Sequence, residues 1–183
     1  GFLNTLPAKH VMSGFAEVIK HALISSTSYW ESLQQVDFME FSNWNELIDT
    51  SVGIKHEIVS QDPKESGLRK VLNFGHTIGH ALESYSMETP GHSLLHGEAI
   101  AAGMIVEAFL SHRVGSLSED ALGQIVSFIS GIYKPYEYDT MSVHRLIELM
   151  RNDKKNQGEQ IHFSLLTGLG QAEIEKAVAP DVS

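Results

Sequence analysis

The chain has 183 residues, 42% hydrophobic and 20% charged, which suits one domain with a sizeable core and argues against disorder over most of the length. The formal net charge of −10 argues against a nucleic-acid surface, and the lack of cysteine excludes disulfides, thiol catalysis and Cys-based zinc sites. Any metal must then be held by His, Asp or Glu, and ten histidines are a rich supply. No apolar run approaches the roughly 18 residues of a membrane span. The opening Gly1-Phe2-Leu3-Asn4-Thr5-Leu6-Pro7 lacks the basic and apolar stretches of a signal peptide, so neither membrane nor secretion is expected and a cytoplasmic location is.

Helical periodicity dominates the chain. Segment 13–26 opens at Ser13 and carries Phe15, Val18, Ile19, Ala22 and Leu23 on one stripe. Residues Trp30 to Leu33 extend it or begin a second helix. Segment 44–60 is helical and stops at Asp62-Pro63, because the residue before proline disfavours αR. A single long helix is predicted from about Leu68 to Tyr85, followed by a loop over 86–94 containing Pro90-Gly91. Segment 96–112, rich in Ala and Gly, reads as a helix packed tightly in the core. Segment 117–132 starts at Ser116 or Ser118, with Glu119 and Asp120 suited to the helix dipole. Segment 142–152 is capped by Ser142. The alternation Ile161 to Leu166 and the stretch Ala172 to Val178 predict one small hairpin. The expected class is mainly α, one domain. No strand leads into a helix with G-x-G-x-x-G spacing, so no dinucleotide fold is expected in these residues.

The strongest local pattern is Arg69-x3-Asn73-x2-His76-x3-His80. On one α-helix these four side chains share a face, with Gly75 and Gly79 leaving room beside it. Such a face suits a polar pocket. Two histidines at i, i+4 can chelate one zinc, although the spacer Thr77-Ile78-Gly79 lacks a metalloprotease glutamate; a plain pair of surface or core histidines has the same spacing. His96-Gly97-Glu98 opens the Ala-rich helix, where His96 can reach a neighbour, and His92 is a nearby competitor. Glu17 interrupts the apolar Phe15-Ala16-Glu17-Val18-Ile19, with Lys20 and His21 following. A half-buried carboxylate there is costly unless paired or metal-bound, and the same pressure acts on Lys20. Asp153-Lys154-Lys155-Asn156 is a basic cluster at a helix end, which taken singly is a solvated turn. Lys55, Lys64 and Glu65 carry no signal alone. Trp30, Trp44, Met104 and Met150 read as packing residues.

Taken together these pieces resemble the 3-dehydroquinate synthase family. The blocks Phe2-Leu3-x-Thr5-Leu6-Pro7, Ser13-Gly14-Phe15-Ala16-Glu17-Val18-Ile19-Lys20, Ile54-Lys55-x2-Ile58-Val59 and Gly67-Leu68-Arg69-Lys70 come in the family's order. So do Asn73-Phe74-Gly75-His76-Thr77-Ile78-Gly79-His80-Ala81, Leu95-His96-Gly97-Glu98-Ala99 and Asp153-Lys154-Lys155. The match covers nearly the whole chain, and the central N-F-G-H-T-x-G-H-A and L-H-G-E-A blocks are specific. The resemblance implies the family's multihelical C-terminal fold and a catalytic zinc or cobalt held by Glu17, His76 and His96, with open positions for substrate. It moves His80 from metal to substrate. It also places Lys20, Lys55, Glu65, Arg69, Asn73 and the pair Lys154 and Lys155 in the substrate pocket, with Lys154 favoured over Lys155.

The family's substrate, 3-deoxy-D-arabino-heptulosonate 7-phosphate, is anionic at both ends, which explains the Arg and Lys donors. NAD oxidises a ring hydroxyl, phosphate is eliminated, hydride returns, and ring opening and aldol closure follow; the leaving phosphate is thought to act as base. Family members carry an N-terminal NAD-binding domain of similar size that these residues lack, so the chain alone is expected to be inactive. A homodimer is expected. The rival readings are another sugar phosphate cyclase (deoxy-inosose, valiolone or aminodehydroquinate synthase), a glycerol-dehydrogenase-like metal enzyme with a different Asp and His set, and a non-catalytic zinc-binding oligomerisation module.

Overall fold

The computed structural model describes residues 7–36, 44–88, 93–134, 140–152 and 160–178. Helix α1 (Ala8–Ser25) starts earlier than the Ser13 start read from the sequence, directly after Pro7, whose fixed φ suits a helix entry. Ser13 therefore lies inside α1, and its hydroxyl caps a different helix, described below. Ser26 ends α1 in an extended conformation and accepts a hydrogen bond from the Tyr29 N–H, so one residue closes α1 and starts α2 (Thr27–Gln34). Helix α3 (Trp44–Gln61) stops before Asp62-Pro63 as expected.

The long helix predicted over 68–85 is two elements. Leu68–Asn73 is a 3-10 helix, and α4 runs His76–Glu88. Gly75 makes the break, with φ +80, a left-handed conformation that glycine adopts without a Cβ penalty. A Cβ there would also lie 2.5 Å from the Met104 side chain. The expected single polar face is thus corrected: Arg69 and Asn73 ride on the 3-10 turn, and His76 and His80 on α4.

Helix α5 (His96–Val114) is the packing axis, buried over most of its circumference, and it contacts α4, α1, α6 and β1. Its small residues let backbones approach. A Cβ on Gly97 would sit 2.0 Å from the Ser13 carbonyl oxygen, and one on Gly103 would sit 2.1 Å from that of Gly75. Helix α6 (Glu119–Ile132) has Ser118 as its N-cap, accepting from the Ala121 N–H. Helix α7 (Thr140–Asn152) begins before Ser142, which is buried and bonded to the Tyr85 hydroxyl at 2.8 Å rather than capping the helix.

The predicted hairpin is present: β1 (Ile161–Gly168) pairs antiparallel with β2 (Gln171–Val178). Its turn docks on the α1–α2 junction, where the Gly170 N–H donates to Leu23 and the Thr27 hydroxyl to Leu169. One core gathers Phe15, Ile19, Trp30, Ile100, Met104 and Ile125; a second lies between α4, α5, α7 and β1 around Leu82, Leu146 and Leu165. Trp30 is fully buried with its ring edge-on to Phe128, and Met104 and Met150 are core residues, as read. No helix among the described residues is long and apolar enough to cross a membrane.

Candidate metal and substrate site

Glu17 and Lys20 answer the pressure noted in the sequence by pairing. Lys20, 2% exposed, donates to Glu17 Oε2 at 2.7 Å. The other carboxylate oxygen, Oε1, is buried without a hydrogen-bond partner and lies 3.7 Å from His76 Nε2. Burial alone would raise the Glu17 carboxyl, but the Lys20 ammonium, through its charge and its hydrogen bond, outweighs burial. The group is held below the usual carboxylate value and so stays an anion.

His76 is the first residue of α4, and a carboxylate from another helix fixes its turn. Glu107 of α5, fully buried, accepts the Gly75 N–H at 2.7 Å and the Ile78 N–H at 3.1 Å. Two orphan donors of the α4 N-terminus are thereby satisfied. His76 Nδ1 lies 3.2 Å from the Phe74 carbonyl oxygen, so Nδ1 carries the hydrogen and Nε2 presents its lone pair towards Glu17. Burial and then the Lys20 charge pull its pKa down to about 3, so the ring is the neutral species that a metal needs.

One turn along α4, His80 brings its ring centroid to 5.2 Å from that of His76. His96, at the start of α5, lies 5.7 Å from His76 and 5.8 Å from His80. Each of the three can offer a ligand atom within 4.8 Å of the others. The α5 N-terminus that carries His96 is held twice. Ser13 accepts the Gly97 N–H at 2.9 Å, and Glu98 accepts the Leu95 N–H at 2.8 Å. His96 Nδ1 is 3.0 Å from Glu83 Oε2.

The other predicted polar residues sit on the connection between α3 and α4. Asp62 accepts the N–H groups of Ser66, Gly67 and Arg69 and the Ser66 hydroxyl, which folds the loop into the 3-10 turn. These backbone bonds hold its carboxyl at about 2. Glu65 adopts φ 55, a left-handed conformation uncommon for a residue with a Cβ. There its carboxylate accepts from Asn73 Nδ2 at 3.2 Å and lies 3.8 Å from Arg69 Nε. Glu65 therefore ties together the two side chains that the sequence had set on one helix. Lys55 is exposed on α3 and lines a cleft of about 360 Å3 with Glu17, His21, Phe15 and Trp44. His92, Lys154 and Lys155 lie outside the described residues.

Residues 14–156 match the family described as 3-dehydroquinate synthase C-terminal. A 3-dehydroquinate synthase of Parabacteroides distasonis is 43% identical over 182 residues, spanning 98% of the chain and 51% of the relative. This chain belongs to the 3-dehydroquinate synthase family. The synthase of Thermoanaerobacter pseudethanolicus is 37% identical over 94% of the chain. The chain spans about half the length of these curated relatives and matches their C-terminal part. Among solved structures, a 2-epi-5-epi-valiolone synthase of Streptomyces hygroscopicus with NAD+ and Zn2+ bound is similar at TM-score 0.73 and 26% identity, over all of this chain and 50% of that one. A 2-deoxy-scyllo-inosose synthase, complexed with carbaglucose-6-phosphate, NAD+ and Co2+, shares the fold at TM-score 0.72 and 24% identity, over 96% of this chain and 51% of that one. The fold is thus that of the sugar phosphate cyclases.

Within this family domain, Glu83, Glu107 and Asp62 are site-supporting residues that the sequence reading passed over or gave another role. Glu107 had a signal. A lone carboxylate inside an Ala- and Gly-rich buried helix raises the same question as Glu17, namely what partners it.

Proposed function

We propose that this chain is the metal- and substrate-binding part of a 3-dehydroquinate synthase. In it Glu17, His76 and His96 hold a zinc ion, and His80 faces substrate. The observation that carries this reading is Glu17 Oε1, buried, without a hydrogen-bond partner and 3.7 Å from His76 Nε2. A tetrahedral zinc with bonds of about 2.1 Å sets its ligand atoms about 3.4 Å apart. The Glu17–His76 separation is close to that spacing and too long for a good hydrogen bond. When bound, the zinc polarises substrate oxygens as a Lewis acid.

The substrate proposed is 3-deoxy-D-arabino-heptulosonate 7-phosphate, converted to 3-dehydroquinate and phosphate, an elimination and cyclisation of the lyase class on the route to aromatic amino acids. Arg69 and Lys55, with Lys154 and Lys155, supply donors for its anionic ends. Glu65 holds Arg69 and Asn73 in one orientation, which shapes this donor set before substrate arrives. Lys20 keeps Glu17 ionised and aligned. Glu17 is engaged by Lys20, and Glu65 by Arg69 and Asn73, which supports a proton transfer in which the departing phosphate itself takes the proton. NAD, which supplies hydride exchange, is assigned to a dinucleotide-binding domain outside these 183 residues, and the working protein to a cytoplasmic homodimer.

The test is NAD-dependent phosphate release from the seven-carbon keto-acid phosphate. The chain is joined in one polypeptide to the N-terminal half of the Parabacteroides distasonis relative. Release is expected from the joined protein and not from the 183-residue chain alone, and Glu17→Ala is expected to abolish it. Release from glucose 6-phosphate instead would assign the domain to a different cyclase, and release by the chain alone would overturn the division of labour.

A further inference from the structure

We infer that Glu83 is a positioning residue whose carboxylate sets the tautomer and direction of His96, so that Nε2 of that ring is the atom presented to the metal. This rests on His96 being a ligand, as proposed above. His96 Nδ1 lies 3.0 Å from Glu83 Oε2. An ionised carboxylate only accepts, so the hydrogen of the neutral ring sits on Nδ1 and the lone pair on Nε2. Without such a partner an imidazole places its proton on either nitrogen, and the Nε2–H form presents no ligand atom on that side.

The need for a guide is greater here than at His76. The His96 side chain is 45% exposed and belongs to the first residue of α5, so packing restrains it little, whereas that of His76 is 15% exposed. Glu83 is placed for the task by helix geometry. It is three residues after His80 and seven after His76, so one face of α4 carries two imidazoles and the carboxylate that directs the third. Carboxylate partners of metal-bound histidines fix the ring in this way.

The test uses the 183-residue chain, the variants Glu83→Ala, Glu83→Gln, Glu83→Asp and His96→Ala, and two readouts. The first is zinc affinity by chelator competition. The second is the tautomer of His96 in the metal-free protein, read from multiple-bond proton–nitrogen NMR correlations. Circular dichroism checks that each variant is folded. Wild type is expected to show the Nδ1–H form. Glu83→Ala is expected to shift His96 towards Nε2–H and to weaken zinc about 10- to 100-fold. Glu83→Gln, whose amide oxygen still accepts the proton, should keep the tautomer and lose less affinity, and Glu83→Asp should recover part of it. A residue acting only through packing would not move the tautomer. If His96→Ala weakens zinc while all three Glu83 variants match wild type, Glu83 does not position the ring and the ligand assignment stands. If His96→Ala itself leaves zinc affinity unchanged, the ligand assignment fails and this inference fails with it.

Discussion

His21 sits next to Lys20 and shows how tightly the residues around the site are held. Its ring is 3% exposed, with Nδ1 2.7 Å from the Ser51 hydroxyl and Nε2 buried without a hydrogen-bond partner. Burial, then the Lys20 charge, lower its pKa to about 4 against an ordinary 6.5, Glu17 opposing and Lys55 adding to the effect. The folded state thus resists a proton that the unfolded chain accepts. Its contribution to stability is complete above pH 6.5 and is lost as pH falls towards 4. At roughly 1.4 kcal/mol per pH unit the loss is about 3 kcal/mol. In metal-free protein, unfolding free energy from urea titrations should therefore fall more steeply between pH 6.5 and 4 in wild type than in His21→Asn. Parallel pH profiles would show that the buried ring does not resist protonation. Glu65 supplies a second prediction at this scale. Glu65→Ala frees Arg69 and Asn73 to reorient and should weaken binding of the sugar phosphate while leaving zinc affinity at the wild-type value, checked by calorimetric titration of each ligand in turn.

Helices α4 and α5 exchange carboxylates. Glu83 of α4 reaches the first residue of α5, and Glu107 of α5 reaches the first turn of α4, so each helix secures the end of the other that carries a histidine proposed as a ligand. Removing Glu107 orphans the buried Gly75 N–H and the part-buried Ile78 N–H, and a buried orphan costs about 1–3 kcal/mol. Glu107→Ala is therefore expected to lower unfolding free energy by about 2–4 kcal/mol and to weaken zinc through His76; unchanged stability would mean that other groups cap this turn. The same helix pair depends on Gly103. An alanine there meets the Gly75 carbonyl, and such overpacking costs about 1–3 kcal/mol, measurable as a lowered urea midpoint with an unchanged slope.

These contacts also explain what was legible in the sequence. Apolar spacing located the helices, and the alternation after Ile161 located the hairpin. The break at Gly75 was missed because a lone glycine in a helical pattern is commonly tolerated, and what makes it a break is a carboxylate arriving from residue 107. Ser13 reads as the opening of its own helix because serine favours helix starts. It does cap a helix start, but that of α5, far along the chain. Caps donated across the fold leave no periodic trace. Glu17 was legible because a carboxylate in an apolar stripe demands an explanation at its own position.

At the scale of the molecule, the site is a meeting of three chain segments rather than of three motifs. Helix α1 brings Glu17 and Lys20, the 3-10 turn and α4 bring Arg69, Asn73, His76 and His80, and α5 brings His96. The chain spans about half of its curated relatives. Within this half the decisive question is which atoms bind the metal, since three imidazoles converge and Glu17 approaches that of His76. The most direct measurement is anomalous diffraction at the zinc edge from crystals of the zinc-loaded chain. The expected result is one peak at bonding distance, about 2.0–2.2 Å, from a Glu17 carboxylate oxygen and from Nε2 of His76 and His96, with His80 outside bonding distance. A peak bonded to His76, His80 and His96, with Glu17 turned wholly to Lys20, would contradict it.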